Sequence, residues 1–219
     1  MNKTYAFWKK VLSGFVKWIY NVRIFGSENE PQDGRLLICA NHLSNSDVLI
    51  IGESFKRQLR FLAKAELFRV PILRSIVRAL GAIPVDRKTS DVAAIKHSIK
   101  ILESGEVLAV FPQGTRCPGK NPKDTDIKFG VAMMAERTEA TVLPVFIETA
   151  RYKIRIFRRT NVRIGKPIPI EELKASGNSY KEQASYIFSK ICELDQLDRS
   201  GRVYGSDKLG SDSKDGGAF

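Results

Sequence analysis

The chain has 219 residues, of which 43% are hydrophobic and 27% charged, a composition typical of one globular domain with its own core. Its formal net charge of +12 predicts an anionic partner: a phospholipid surface, a nucleic acid, or a phosphorylated or acidic substrate. No zinc-finger, RNP or KH pattern supports the nucleic acid. Three cysteines without CxxC spacing predict neither disulfides nor a zinc site, and indicate a reducing compartment.

The N-terminal region, Thr4 to Val22, is predicted to form an amphipathic helix that associates with membranes. Apolar residues recur near helical spacing, both tryptophans of the chain lie here, and no acidic residue precedes Glu28. A cationic helix that carries tryptophan suits the headgroup region of an anionic bilayer, and a terminal helix packed on the core is the alternative. No apolar run reaches the roughly 18 residues of a membrane-spanning helix. Lysines also interrupt any signal-peptide core.

Apolar runs alternate with helical patterns along the rest of the chain, which predicts an α/β fold. The predicted strands are Arg35–Ala40, Leu59–Ala63, Ala82–Val85, Val107–Phe111, Val142–Ile147, Tyr152–Phe157 and Val162–Ile164. The predicted helices are Asp47–Phe55, Ile72–Leu80, Asp91–Ser104, Phe129–Thr138 and Tyr180–Leu197. Because some connections are short, we expect a mixed, largely parallel sheet layered with helices and preceded by the amphipathic helix. The domain organisation is then a helical segment at 1–30, an α/β domain at 31–198 and a disordered tail at 199–219.

A histidine and an aspartate follow the first predicted strand. His42 and Asp47 are five residues apart, which on one helix is about 500° of rotation, so the two side chains would diverge. They meet only if His42 lies in a loop and Asp47 in the first helical turn, with Ser44 as the N-cap. A histidine oriented by a carboxylate is suited to removing a proton from a hydroxyl group. The alternative is that Asp47 only caps a helix.

Basic residues follow two other strands. Arg87 comes after Ala82–Val85, and Arg116 comes after Val107–Phe111 within the run Phe111 to Arg116. Ligands of open α/β sheets bind outside the carboxyl ends of the strands, and arginine matches phosphate oxygens in a bidentate manner. A histidine base beside two guanidinium groups predicts a substrate with a hydroxyl and a phosphate.

These residues resemble the glycerolipid acyltransferase family. The segment from His42 to Asp47 is similar to its HX4D signature, and Gly81–Arg87, Phe111–Arg116 and Val142–Val145 resemble its three further blocks, in the same order. Lys64 lies in a segment similar to one found between the first two blocks. The chain is most similar to the bacterial 1-acylglycerol-3-phosphate type. It departs from the family at Gln113, where a glutamate is usual; glutamine keeps the hydrogen-bonding capacity but not the charge.

The resemblance implies a reaction and a set of site residues. His42 removes the proton of a lysophospholipid hydroxyl, the oxygen attacks the thioester carbonyl of acyl-CoA or acyl carrier protein, and Asp47 orients His42. The implied substrate-binding residues are Lys64, Arg87, Gln113, Gly114, Thr115 and Arg116, with glycine allowing close approach of the backbone. No metal or cofactor is implied. The implied partners are the two substrates and a membrane surface, bound peripherally or as a monotopic protein, and the implied location is the cytoplasmic face of the cell membrane.

Two other interpretations remain open at the level of sequence. In the first, Cys117 is a nucleophile with His42 as its base, as in a thioesterase or a ping-pong transferase. In the second, the protein is a non-enzymatic basic module that binds a membrane or a nucleic acid through its charge. A basic cluster is relevant to the second: Arg151, Lys153, Arg155, Arg158, Arg159 and Arg163 are interpreted as a solvated strand face, with lipid or carrier-protein contact as the alternative.

Overall fold

The structure is a computed structural model, and it describes residues 14–69, 74, 77–78, 81–85 and 91–196. Seven strands form one sheet: β1 (Val22–Phe25), β2 (Leu36–Ala40), β3 (Leu59–Lys64), β4 (Ala82–Val85), β5 (Val107–Val110), β6 (Thr141–Thr149) and β7 (Thr160–Ile164). The α-helices with described bounds are α1 (Asp47–Ser54), α2 (Asp91–Glu103), α3 (Gly130–Thr138), α4 (Ile170–Ala175) and α5 (Tyr180–Cys192). Residues 14–20 are also helical. The predicted α/β fold is confirmed.

The strand order is β1-β7-β6-β2-β5-β3-β4. Strands β6, β2, β5, β3 and β4 run parallel to one another, whereas β7 is antiparallel to β6 and β1 is parallel to β7. The sheet is therefore mixed and largely parallel, as predicted. The carboxyl ends of β2, β5 and β6 lie at one edge, which we call the active-site edge.

The sheet is covered on both faces. One face packs Leu37, Leu108 and Phe146 against helices α2, α3 and α5, and the other packs Ile38 and Val145 against α1. All five residues of β2 are buried, as expected for a central parallel strand whose two faces are both covered. Cys39 and Cys192 are buried core residues, and His97 is exposed on α2.

Three predictions of secondary structure differ from the structure. Tyr152–Phe157 is not a strand: residues 150–152 form a 3-10 helix, and Arg151, Tyr152 and Phe157 have positive φ values, which an extended strand excludes. Val22–Phe25, placed in the N-terminal helical segment by its sequence, forms β1 and pairs with β7. Helix α4 was not predicted.

Several predictions fall partly or wholly outside the described residues. They are residues 1–13 of the N-terminal helix, most of the helix predicted at 72–80, Arg87, and the tail at 199–219. Among the residues that the structure does describe, no helix is both long enough and apolar enough to span a bilayer.

Candidate active site

His42 lies two residues beyond the end of β2 because Asn41 closes the strand. The Asn41 side chain donates to the carbonyl of Ile147 (3.1 Å) and accepts from the Ile147 backbone N–H (2.7 Å). Both groups belong to β6, so the buried amide replaces the next rung of the β2–β6 ladder. The chain is then free to turn away from the sheet, and His42 lies in the loop, as predicted.

Asp47 holds this loop with a single carboxylate oxygen. Its Oδ2 lies 2.6 Å from His42 Nδ1 and accepts from the backbone N–H groups of Leu43 (2.6 Å) and Ser44 (2.9 Å). The carboxylate is completely buried. With two N–H donors already fixed on Oδ2, the carboxylate acts as an acceptor toward His42. In the neutral imidazole, Nδ1 then carries the proton and Nε2 the lone pair.

The helix start differs from the predicted capping arrangement. Ser46 occupies the N-cap position and Asp47 is the first residue of α1, so the prediction of Ser44 as the N-cap is wrong. Ser44 instead accepts from the Ser46 backbone N–H through its hydroxyl (3.2 Å). The reason is that the Asp47 carboxylate turns back toward the loop, where it binds N–H groups that precede the helix.

Phe111 and Gln113 support His42 from the segment after β5. The ring of Phe111 stacks on the imidazole, with ring centroids 3.9 Å apart and planes 10° from parallel. The Gln113 side chain accepts from the His42 backbone N–H (2.7 Å) and donates to Thr125 Oγ1 (2.7 Å). The Cys117 backbone N–H donates to the His42 carbonyl (2.8 Å). His42 is therefore held at its ring and at both of its backbone polar groups.

Gln113, which was predicted to bind substrate, contacts the His42 loop in the structure. It is buried, with 5% of its surface exposed, and both ends of its amide are used within the protein. Asn41, Phe111 and Thr125 are the supporting residues that sequence reasoning missed. Their contacts join segments 12 to 106 residues apart, and only the polar, strand-terminal position of Asn41 hinted at a role.

Of the remaining predicted site residues, some lie near His42 and others have side chains that the structure does not describe. Thr115 and Arg116 are exposed in the loop after β5, at the same edge as His42. Gly114 has φ +67°, and a Cβ there would lie 2.8 Å from Lys128 Cε, so its glycine is explained by backbone conformation and by this side chain. Lys64 is the last residue of β3, but its side chain, like Arg87, is outside the described part of the chain.

The Cys117 thiol has a different neighbour from the one that a covalent mechanism requires. Its Sγ lies 3.8 Å from the Thr115 carbonyl oxygen, in hydrogen-bond range for sulfur. The contacts of the His42 ring are with Asp47 and Phe111. The geometry thus favours a histidine that acts directly on a bound substrate.

Fold and site together have the features of one class of enzyme: an α/β protein in which a histidine, oriented by a buried carboxylate, lies at the carboxyl edge of a parallel sheet. The acyltransferase family model matches residues 21–148, more than half of the chain, which includes every described site residue named above. The chain belongs to the acyltransferase family.

Named relatives and a solved structure agree with this family membership. The chain is 28% identical over 167 residues to the 1-acyl-sn-glycerol-3-phosphate acyltransferase of Bacillus subtilis, a match that covers 75% of this chain and 82% of that one. It is 30% identical over 182 residues to the enzyme of that name from Streptococcus pneumoniae, covering 81% and 66%. The crystal structure of the 1-acyl-sn-glycerophosphate acyltransferase of Thermotoga maritima superposes with a TM-score of 0.66 at 25% identity, covering 84% and 78%.

Proposed function

We propose that this protein transfers a fatty acyl group from a thioester donor to the free hydroxyl of 1-acylglycerol-3-phosphate, giving phosphatidic acid for phospholipid biosynthesis. The observation that carries the proposal is the 2.6 Å contact between His42 Nδ1 and the buried Asp47 carboxylate. It leaves Nε2 available as a base, and the side chain of His42 is 12% exposed, enough to meet a substrate. The names of the relatives supply the acceptor.

The reaction follows from this geometry. His42 Nε2 takes the hydroxyl proton as the acceptor oxygen bonds to the thioester carbonyl carbon, giving a tetrahedral oxyanion. When the intermediate collapses, the carbon–sulfur bond breaks and the imidazolium returns its proton to the leaving thiolate. Asp47 stabilises the transient imidazolium and fixes the tautomer, while Phe111 fixes the plane of the ring. His42 alone therefore accepts the proton and returns it.

The loop after β5 is the proposed site of the acceptor phosphate. Arg116 is exposed there, and its guanidinium suits bidentate contact with phosphate oxygens. Lys64 and Arg87 are proposed to contribute from the ends of β3 and β4. The donor is acyl-CoA or acyl carrier protein, both of which are anionic and suit a chain of net charge +12.

The proposal also places the protein on the cytoplasmic face of the cell membrane, bound through its N-terminal helix. Three cysteines without a disulfide support a reducing compartment. The helical segment 14–20 is compatible with both interpretations of the sequence, packing on the core and membrane association, because Val16 is buried against the core while Trp18 is exposed.

Product identification tests the proposal. Purified protein is incubated with acyl-CoA or acyl carrier protein and a panel of lysolipids that differ in headgroup, and the products are identified by mass. We expect phosphatidic acid from 1-acylglycerol-3-phosphate and no product from the His42→Ala variant. A product from another lysolipid alone would reassign the acceptor, and product formation by His42→Ala would refute the mechanism.

A further inference from the structure

Four large apolar side chains are exposed together beside β7. Phe15 and Trp18 come from the helical segment 14–20, Ile156 and Phe157 come from the connection between β6 and β7, and their exposed fractions are 58%, 67%, 61% and 60%. The rings of Trp18 and Phe157 meet edge-on with centroids 5.3 Å apart. Phe15 lies one helical turn from Trp18, on the same face. We call these four residues the apolar patch. Contiguous exposed apolar residues mark an interaction surface, whereas scattered ones do not.

The backbone around Phe157 holds its ring outward. Phe157 has φ +57°, a left-handed conformation that is uncommon for a bulky residue. Its backbone N–H donates to the Ile19 carbonyl (2.6 Å), and the Arg158 N–H donates to the Arg155 carbonyl (3.3 Å). The surrounding contacts thus impose a conformation that costs free energy, a feature found at functional sites.

The helical segment is firmly attached on its other side. Tyr20 shares a 2.7 Å hydrogen bond with the Ser46 hydroxyl, and Lys17 pairs with Glu53 of α1 at 2.8 Å. The segment therefore presents Trp18 outward from a fixed position next to the loop of Asp47. The exposed aromatic side chains of this segment are therefore held in place by the folded domain.

The charge around the patch identifies its partner. The connection between β6 and β7 exposes Arg151, Lys153, Arg155, Arg158 and Arg159, and no acidic residue occurs between Glu148 and Glu171. Arg163, predicted to belong to this solvated cluster, is instead buried and paired with Glu148 at 3.0 Å. Aromatic residues that insert at headgroup depth, surrounded by arginine, match the interface of an anionic bilayer.

Topology places this surface at the active-site edge. Strand β6 ends there, and β7 starts there in the opposite direction, with Thr149 opposite Thr160. Strand β1 starts at the same edge, with Val22 opposite Thr160. Since β7 is two positions from β2 in the sheet, the start of β7 and the end of β2 are separated laterally by about 10 Å.

We propose that the apolar patch and the arginines of the 150–159 connection form a docking surface for an anionic phospholipid bilayer, oriented so that the active-site edge faces the lipid. The proposal rests on the proposed function in one respect, namely that the acceptor is a membrane lipid. It adds to the N-terminal helix a second contact from a distant part of the chain, and it fixes the orientation of the enzyme on the membrane.

Vesicle partitioning of the full chain tests the docking surface. The probes are vesicles of phosphatidylcholine alone and of phosphatidylcholine mixed with phosphatidylglycerol. We expect R158E/R159E to bind the anionic vesicles at least about 30-fold more weakly, because each basic residue near an anionic surface contributes about 1 kcal/mol and 1.4 kcal/mol is a factor of ten. The control R137E/K181E makes the same charge change at two exposed positions on α3 and α5, and we expect it to bind as the wild type does. Equal losses in both variants would refute a localised surface.

The apolar contribution is tested with W18Q/F157N. Asparagine tolerates the left-handed conformation better than phenylalanine does, so this variant keeps its fold while it loses both rings, and circular dichroism checks that. We expect weaker binding to both kinds of vesicle. In a Trp8→Phe background, we also expect a blue shift of Trp18 emission on anionic vesicles. Unchanged partitioning or an unshifted emission would refute the proposal.

Two further results distinguish the alternatives. If W18Q/F157N changes the molar mass in solution by light scattering but not vesicle binding, the patch contacts a second copy of the chain, and the bilayer proposal is refuted. The transferase proposal is tested separately by comparing His42→Ala with wild type in detergent micelles, where no bilayer is present. Loss of vesicle docking and loss of chemistry are therefore independent outcomes.

Discussion

Asn in place of Asp47 separates the charge of the carboxylate from its geometry. Three donors converge on Oδ2: the backbone N–H groups of Leu43 and Ser44 and the Nδ1 of His42. In Asp47→Asn, the two backbone donors require the amide oxygen at that position, so the amide still accepts from Nδ1–H. The tautomer of His42 is kept, and only the negative charge is lost.

The magnitude follows from the charge. An imidazolium and a carboxylate with charge centres about 4 Å apart interact by about 4 kcal/mol at an effective dielectric constant near 20, so we expect kcat to fall about 10³-fold. The fold is also weakened, because three hydrogen bonds to an anion become neutral and each loses about 1 kcal/mol. The amide NH₂ then takes the place of Oδ1, which is buried and has no hydrogen-bond partner among the residues that the structure describes. This costs about another 1–3 kcal/mol. Chemical denaturation measures this change in the free energy of unfolding.

Steady-state acyl transfer and nitrogen NMR provide the assay. The chain has two histidines, and His97 is exposed, so its ring is an internal reference for the His42 tautomer. We expect Asp47→Asn to keep the Nδ1–H form and Asp47→Ala to lose that preference, with a further drop in kcat. If Asp47→Asn keeps kcat within tenfold of wild type, or if its His42 changes tautomer, the reasoning is refuted.

Three further predictions concern the supporting structure. Glu148→Ala should destabilise the fold by about 3–5 kcal/mol in chemical denaturation, because it leaves the guanidinium of Arg163 buried without its partner; a loss below 1 kcal/mol would contradict this. In thiol titration at neutral pH, Cys117 should react before Cys192. Burial raises the pKa of the Cys192 thiol to about 11, so this thiol stays protonated and unreactive at every pH well below that value. Cys117→Ser should keep full activity, because Cys117 is not a nucleophile in the proposed reaction. Gln113→Glu should leave KM for the lysolipid unchanged, since a carboxylate oxygen can still accept from the His42 backbone N–H. Gln113→Leu should lower kcat by about tenfold, because that partly buried N–H loses its acceptor. A large change in KM for Gln113→Glu would show that Gln113 contacts the substrate.

The parallel core could be predicted from sequence because its signals are local. Strands β2 to β6 are apolar runs bounded by turn residues, and α2 shows one apolar face that ends before Gly105. The contact between His42 and Asp47 could also be predicted, because a strand end and a helix start only five residues apart restrict how the two side chains can be placed.

The structure near β1 and β7 could not be predicted from local sequence patterns. The alternation of apolar and basic residues from Tyr152 to Phe157 is typical of a half-buried strand. Positive φ values at Tyr152 and Phe157 interrupt the extended backbone instead, and only Ile154 of the three apolar residues after Tyr152 packs against the core. Strand β1 has four residues and follows a helical pattern without a break, so its pairing with β7 depends on a contact about 138 residues away. The support of His42 by Gln113 likewise depends on the register of β2 against β5, which no local pattern encodes.

The central claim is that His42 is the base for acyl transfer, and the most direct measurement is the ratio of kcat/KM between wild type and His42→Ala on 1-acylglycerol-3-phosphate. The matched control is His97→Ala, which removes the other histidine from an exposed position on α2. We expect a loss of at least about 10²–10⁴-fold for His42→Ala, the usual contribution of a positioned base, with no loss for His97→Ala and an unchanged fold in both. Activity of a folded His42→Ala variant within tenfold of wild type would contradict the account.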